Sequence, residues 1–136
     1  MNNLSAFLHP VRSPAVHEVL ISGRFVGEDG KPVPFKIRPL TQEENDAITK
    51  RCLRQTKING QIVERLDNIA YSRRLVVAAT VEPDFQNEEI CKAYSTMDPL
   101  EVPSKMLLAG EYSRLSKEIM ALSGFETDGL EDYAKN

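Results

Sequence analysis

Residues 67–81 read Asp-Asn-Ile-Ala-Tyr-Ser-Arg-Arg-Leu-Val-Val-Ala-Ala-Thr-Val, and how this stretch folds decides the rest. Residues 75–79 are apolar without a break, more than one helical turn, so no side of that turn is polar. A helix apolar all round belongs in an interior. Asp67 suits an N-cap, and Pro83 forbids continuation much past Val81. The competing reading is a buried strand, because Val76, Val77, Thr80 and Val81 are β-branched. Length and capping favour the helix. If it is the post of the domain, a charge at Val77 should unfold the protein.

A chain of 136 residues, 41% hydrophobic and 27% charged, is sized for one domain with a real core. The formal charge of −3 sits in the last eleven residues, where Glu126, Asp128, Glu131 and Asp132 oppose only Lys135. A neutral body with an acidic tail gives no electrostatic footprint for nucleic acid or an anionic membrane. No segment approaches transmembrane length, and the first ten residues lack a signal-peptide pattern. Cys52 and Cys91 stand alone beside apolar neighbours and read as buried free thiols in a reducing compartment.

Working outward toward the N-terminus, Leu4, Phe7 and Leu8 follow an i, i+3, i+4 spacing stopped by Pro10. This is a short amphipathic helix on an arm, residues 1–15, able to dock on its own domain or on a partner. Residues 16–26 alternate as a strand, with Val19, Ile21 and Phe25 on one face and Glu18, Ser22 and Arg24 on the other. Asp29-Gly30 is a hairpin turn signal, and the return strand points Val33, Phe35 and Ile37 inward. Pro32 and Pro34 lack the amide a central strand needs, which predicts that this strand begins at a sheet edge. Thr41 and Glu44 then form a T-x-x-E capping box for a helix whose end carries Lys50, Arg51 and Arg54.

Between that helix and residue 67, Ile58 and Ile62-Val63 flank Asn59-Gly60. The pattern fits a projecting, flexible type I′ hairpin or a mobile loop. Beyond Pro83, Asp84 or Asn87 can cap a short helix through Ser95 with Ile90, Cys91 and Tyr94 inward. Asp98-Pro99 and Pro103 predict a turn with a short helix, or one kinked helix, to Leu108. Residues 111–123 carry Tyr112, Leu115, Ile119 and Leu122 as one stripe, with Gly124 at a left-handed C-cap and Phe125 folding back. The tail 126–136 is expected to be disordered when alone. The sum is an α+β domain over 16–125: an N-terminal antiparallel hairpin, then four to five helices packed around 67–81.

The residues of catalysis are sparse. His9 and His17 are the sole histidines, with no cysteine or carboxylate at metal-ligand spacing. No glycine-rich phosphate loop exists. Glu43-Glu44 and Glu88-Glu89 are adjacent pairs at helix starts, pointing about 100° apart, and serve the helix dipole. Arg73-Arg74 face solvent in the simplest reading, and an enzyme would have to use them or His17 in a cleft. No catalytic residue, metal site or cofactor is assigned.

Several stretches in order resemble one family. They are Arg24-Phe25-Val26, Asp29-Gly30-Lys31-Pro32-Val33, Phe35-Lys36-Ile37-Arg38, Thr41-Gln42-Glu43-Glu44, Gly110-Glu111-Tyr112 and Ser123-Gly124-Phe125. Over residues 4–125 the chain resembles the small tail assembly chaperones of contractile-tailed phages and defective prophages, the XkdN-like group. It departs where that family tends to have Thr-Pro-Gly-Glu-Tyr: Leu108-Ala109-Gly110-Glu111-Tyr112 lacks the capping hydroxyl. The resemblance implies a non-enzymatic binder of the long helical tape measure protein in the host cytoplasm, absent from the mature virion. The tail tube protein and a second copy of the chain are further candidate partners. A minor structural tail component or another small adaptor is the alternative. The movable apolar groups Leu4, Phe7, Leu8, Ile58, Ile62 and Val63 are the candidate partner-binding residues. The family's frameshifted longer forms direct attention to Ala134-Lys135-Asn136, which can be encoded with a slippery A-run.

Overall fold

The computed structural model describes residues 3–11 and 15–125. The expectations for the tail and for Ala134-Lys135-Asn136 lie outside the described residues. The fold is α+β, with six α-helices and two small antiparallel sheets among the described residues.

Within residues 67–81 the chain forms helix α3, Asn68–Ala79. Asp67 caps it, its Oδ1 accepting from the Ala70 amide at 3.0 Å. The helix stops two residues short of the expected end. Thr80–Glu82 leave it as a strand, β5, while the Thr80 hydroxyl donates to the Val76 carbonyl at 2.7 Å. Two β-branched residues and a residue before proline prefer extended backbone, so the strand reading was right for this end alone.

Strands β1 (His17–Val19) and β2 (Phe35–Ile37) pair antiparallel, and β5 pairs with the other side of β2. The prolyl strand is therefore the middle of the sheet, not an edge. Pro32 and Pro34 lie outside its three paired residues, so no ladder amide is missing. The expected long strand 16–26 is also interrupted. A tight turn recovers the pairing, with Val26 bridging Pro32 and the Val33 amide donating to Phe25 at 2.7 Å. Between Val19 and Phe25 one arm has more residues than the other, and the excess bulges. As a result Ser22, expected outward, is buried beside Ile21, and Val33, expected inward, is 40% exposed.

Helix α2, Gln42–Cys52, has the full capping box: Thr41 Oγ1 accepts from the Glu44 amide and Glu44 Oε1 from the Thr41 amide, each at 3.2 Å. Arg54 is not in it. The chain turns at Leu53 into a hairpin, β3 (Leu53–Ile58) and β4 (Gln61–Leu66), paired in register along its length. Asn59 and Gly60 have φ of 52° and 79°, the two positive values a type I′ turn requires. Hairpin, not loop, is the outcome. Its base closes where the Asp67 amide donates to the Cys52 carbonyl at 2.8 Å, so it projects from the α2–α3 corner as an insertion.

After Pro83, α4 (Glu88–Ala93) is capped by Asn87 and ends before the expected Ser95. A 3₁₀ turn (Pro99–Glu101) capped by Asp98 leads into α5 (Val102–Met106). Helix α6, Ala109–Leu122, starts two residues before the expected position. Glu111 makes this possible: its Oε1 accepts from the Leu108 amide at 2.8 Å, covering an orphan donor without an N-cap hydroxyl. The helix ends in a Schellman motif, Phe125 N–H to Met120 carbonyl and Gly124 N–H to Ala121 carbonyl, with Gly124 at φ 89°.

The core joins Ile21, Phe35 and Ile37 of the sheet region to Leu75, Val76 and Ala79 of α3 and Leu115 and Ile119 of α6. Both cysteines are free and buried. One face of α3 is not wrapped: Val77 and Ala78 are half-buried and line a shallow recess with Ile48, Arg51, Arg74 and Leu100. The element that must stay apolar is thus Leu75-Val76, and a charge at Val77 can reach solvent.

Candidate protein-binding surfaces

Among the described residues, three of the uncovered apolar features bear on partner binding. The first is α1, Leu4–Leu8, which has no buried residue; Leu4, Phe7 and Leu8 are 54%, 82% and 62% exposed. The second is the β3–β4 tip, where Ile62 is 66% exposed and Ile58 38%. Pleating divides this trio: Ile58 and Val63 share a face with Thr56 and Gln61, and Ile62 shares the other with Lys57. The predicted residues therefore form an apolar arm and a two-faced apolar ribbon.

The third feature, missed in the sequence, is a groove of about 420 Å³ walled by Phe25, Pro34, Phe35, Pro83, Ile90 and Tyr94. Sheet, post-β5 bend and α4 meet there. Phe25 and Phe35 rings lie 5.8 Å apart between centroids, tilted by 49°. Ile90 and Tyr94 were expected inside on their i, i+4 spacing. They pack against the core on one side and leave the other to the groove. Spacing alone cannot show that their strip is wider than what covers it.

Polar contacts fix the groove's frame. Arg24 Nε donates to Glu111 Oε2 at 3.0 Å, its Nη2 donates to Glu111 Oε1 and to the Met106 carbonyl, and its guanidinium sits 4.9 Å over the Phe25 ring. The guanidinium, then the Ser22 hydroxyl and the Leu108 amide, holds the Glu111 carboxyl at about 2, against an ordinary 4.5. On the far side Arg38 grips Glu44 through bonds of 3.1 and 2.6 Å, and Glu44 likewise falls to about 2. The Leu40 amide donates to Ser123 Oγ at 3.0 Å.

The residues an enzyme would need are dispersed. Arg73 and Arg74 open onto different shallow recesses, and His17 lines neither. Among the described residues no group of three or more His, Cys, Asp or Glu could hold a metal ion, and no helix is long and apolar enough to cross a membrane.

A small α+β framework latched by ion pairs, with apolar projections, offers surface on which another protein could dock. Comparison with known families assigns it further. Residues 4–135 match the model of the phage XkdN-like tail assembly chaperone protein, and the chain belongs to that family. It is 35% identical over 123 residues to the phage-like element PBSX protein XkdN of Bacillus subtilis, and 37% identical over the same length to the uncharacterized protein YqbN of that organism. Each alignment spans 88% of this chain and 83% of the relative. The crystal structure of YqbN is similar, with a TM-score of 0.73 at 31% identity, covering 93% of this chain and 99% of that one.

The stretches that carry the resemblance meet in the fold. Arg24 of the first reaches Glu111 of a late one, and Arg38 reaches Glu44. Ser123 of the last holds the Leu40 amide between them. Their job is to lock the frame.

Proposed function

We propose that the chain is a non-enzymatic chaperone that binds the tape measure protein in the host cytoplasm during tail assembly and is left out of the finished virion. Family membership carries this reading. A tape measure protein is a long helical chain whose apolar stripes are unpaired until the tube encloses them. Covering such stripes needs exposed apolar surface on a stable frame, with no bond made or broken. Leu4, Phe7 and Leu8 on α1 and Ile58, Ile62 and Val63 on the β3–β4 ribbon supply that surface. The tail tube protein is the second candidate client, since tube subunits polymerise around the first.

Affinity capture of the chain from cells assembling tails should recover the tape measure protein, and purified particles should lack the chain by mass spectrometry. Recovery in stoichiometric amount from particles would make it a structural tail component instead. A longer, frameshifted product reading through codons 134–136 is part of the proposal. Synonymous codons that break the A-run should abolish it.

A further inference from the structure

We propose that the chain's own acidic tail, residues 126–136, seats in the recess between α2 and α3 and covers the face of α3 that the rest of the fold leaves unwrapped. The recess has a volume of about 230 Å³. Ile48, Val77, Ala78 and Leu100 give it an apolar floor, and Arg51 and Arg74 line it as well. No carboxylate lines it. Among the described residues neither of these guanidiniums has an ion-pair partner, whereas Arg24, Arg38 and Arg54 each have one. Two cations sharing one recess repel each other until an anion joins them.

The tail has the matching chemistry. Glu126, Asp128, Glu131 and Asp132 oppose only Lys135, and Leu130 and Tyr133 supply large apolar groups for the floor. Its starting point is also right. The Leu40 amide donates to Ser123 Oγ at 3.0 Å, so the chain leaves α6 beside the residue that stands just before the Thr41 cap of α2. From Leu40 to Ile48 is about 10 Å along α2, at 1.5 Å per residue. Residues 126–131 span about 20 Å when extended, enough to round the first turns of α2 and bring carboxylates to Arg51 and Arg74.

The size of the recess selects a tethered occupant over a free one. A separate partner, whether a client or a second copy, needs about 800 Å² on each side to form a specific complex. A shallow recess with two charged contacts, each weak in water, does not supply that. A segment of the same chain needs far less, because its tether holds it at roughly millimolar effective concentration. The recess residues are also distinct from the α1 and β3–β4 groups assigned to the client, so the tail and a client can be bound together.

The test is paramagnetic broadening in the full chain. Gly129→Cys carries a nitroxide, while Cys52 and Cys91 are buried and stay unlabelled. Amide signals of residues 47–51 and 74–78 should lose most of their intensity and recover it when the nitroxide is reduced. The loss should disappear at about 1 M salt, where charges act over only about 3 Å. Arg51→Glu/Arg74→Glu should abolish it, and adding Glu131→Arg/Asp132→Arg should restore it, each variant keeping the wild-type circular dichroism spectrum. Should the reversed pair fail to fold, the salt series on the spin-labelled wild-type background decides. Absence of broadening at these residues overturns the proposal, as does broadening that high salt leaves unchanged. So does broadening that passes from a spin-labelled copy to an isotope-labelled copy without a nitroxide, which would place the tail on a neighbour. No client protein enters the experiment, so its outcome is independent of the tape measure assignment.

Discussion

Arg24 and Glu111 stand 87 positions apart in the chain and join side by side, the guanidinium spanning both carboxylate oxygens while also reaching the Met106 carbonyl. Glu111 is at once the ion-pair partner of the hairpin region and the group that covers the Leu108 amide at the start of α6. One carboxylate therefore fixes where the last helix begins and where the N-terminal hairpin rests on it.

Acid should loosen this frame. Glu111 and Glu44 both titrate near 2 in the folded protein, against 4.5 ordinarily. A carboxyl whose folded pKa is depressed adds stability that is fully present above its unfolded pKa and lost as pH falls through the folded one. Melting temperature should hold from neutral pH to about 4.5 and fall between there and 2. The Glu44→Gln/Glu111→Gln double variant should start lower and show a flatter decline over that window, as followed by thermal circular dichroism.

Helix α3 gives a paired prediction. Val76 is fully buried, so Val76→Asp places an unpaired charge in the core, a cost of more than about 4 kcal/mol. Its thermal transition should be lost. Val77 is half-buried at the recess edge, with Arg51 and Arg74 lining the same recess. Val77→Asp should keep a cooperative transition at a lower temperature.

The cap of α2 is a smaller and cleaner test. Thr41→Ala removes the acceptor for the Glu44 amide and should cost about 1 kcal/mol, whereas Thr41→Ser should cost little. Denaturant midpoints with an unchanged slope would show that the loss is local.

The ribbon should be independent of the core. A Cβ at Gly60 meets nothing within 4 Å, yet its φ of 79° belongs to the left-handed region. Gly60→Val should therefore strain the turn by about 1–2 kcal/mol through conformation alone. Amide exchange should accelerate across Leu53–Ile58 and Gln61–Leu66, while the exchange of α3 and α6 amides stays as in the wild type.

Local chemistry was the legible part of this fold. Asp67, Thr41 with Glu44, Asn59-Gly60 and Gly124 each announce a cap or turn through groups only a few residues apart, and all act as read. The misreadings have a common cause, the dependence of a residue on partners far along the chain. Thr80 and Val81 became a strand because β2 offered them an edge, and Ser22 went inward because its strand bulged. The α1 and ribbon residues could be picked out by polarity breaks in sequence. The groove could not, since its walls come from three segments that each look like ordinary core. A hint lay in the Arg24-Phe25 and Gly110-Glu111 stretches, which resemble the family at both ends of the chain and meet through the Arg24–Glu111 pair, next in sequence to the groove wall Phe25.

The proposal that this chain shields a tape measure protein stands or falls on the soluble yield of that protein when the two are co-expressed. Alone, the tape measure protein should be found mainly in the insoluble fraction. With the wild-type chain it should become soluble and co-elute with it on size exclusion. With the Ile58→Asp/Ile62→Asp variant, which alters only the exposed ribbon, solubility should fall back toward the level seen alone. A tape measure protein whose solubility is the same with and without the chain, and which never co-elutes with it, would contradict the account.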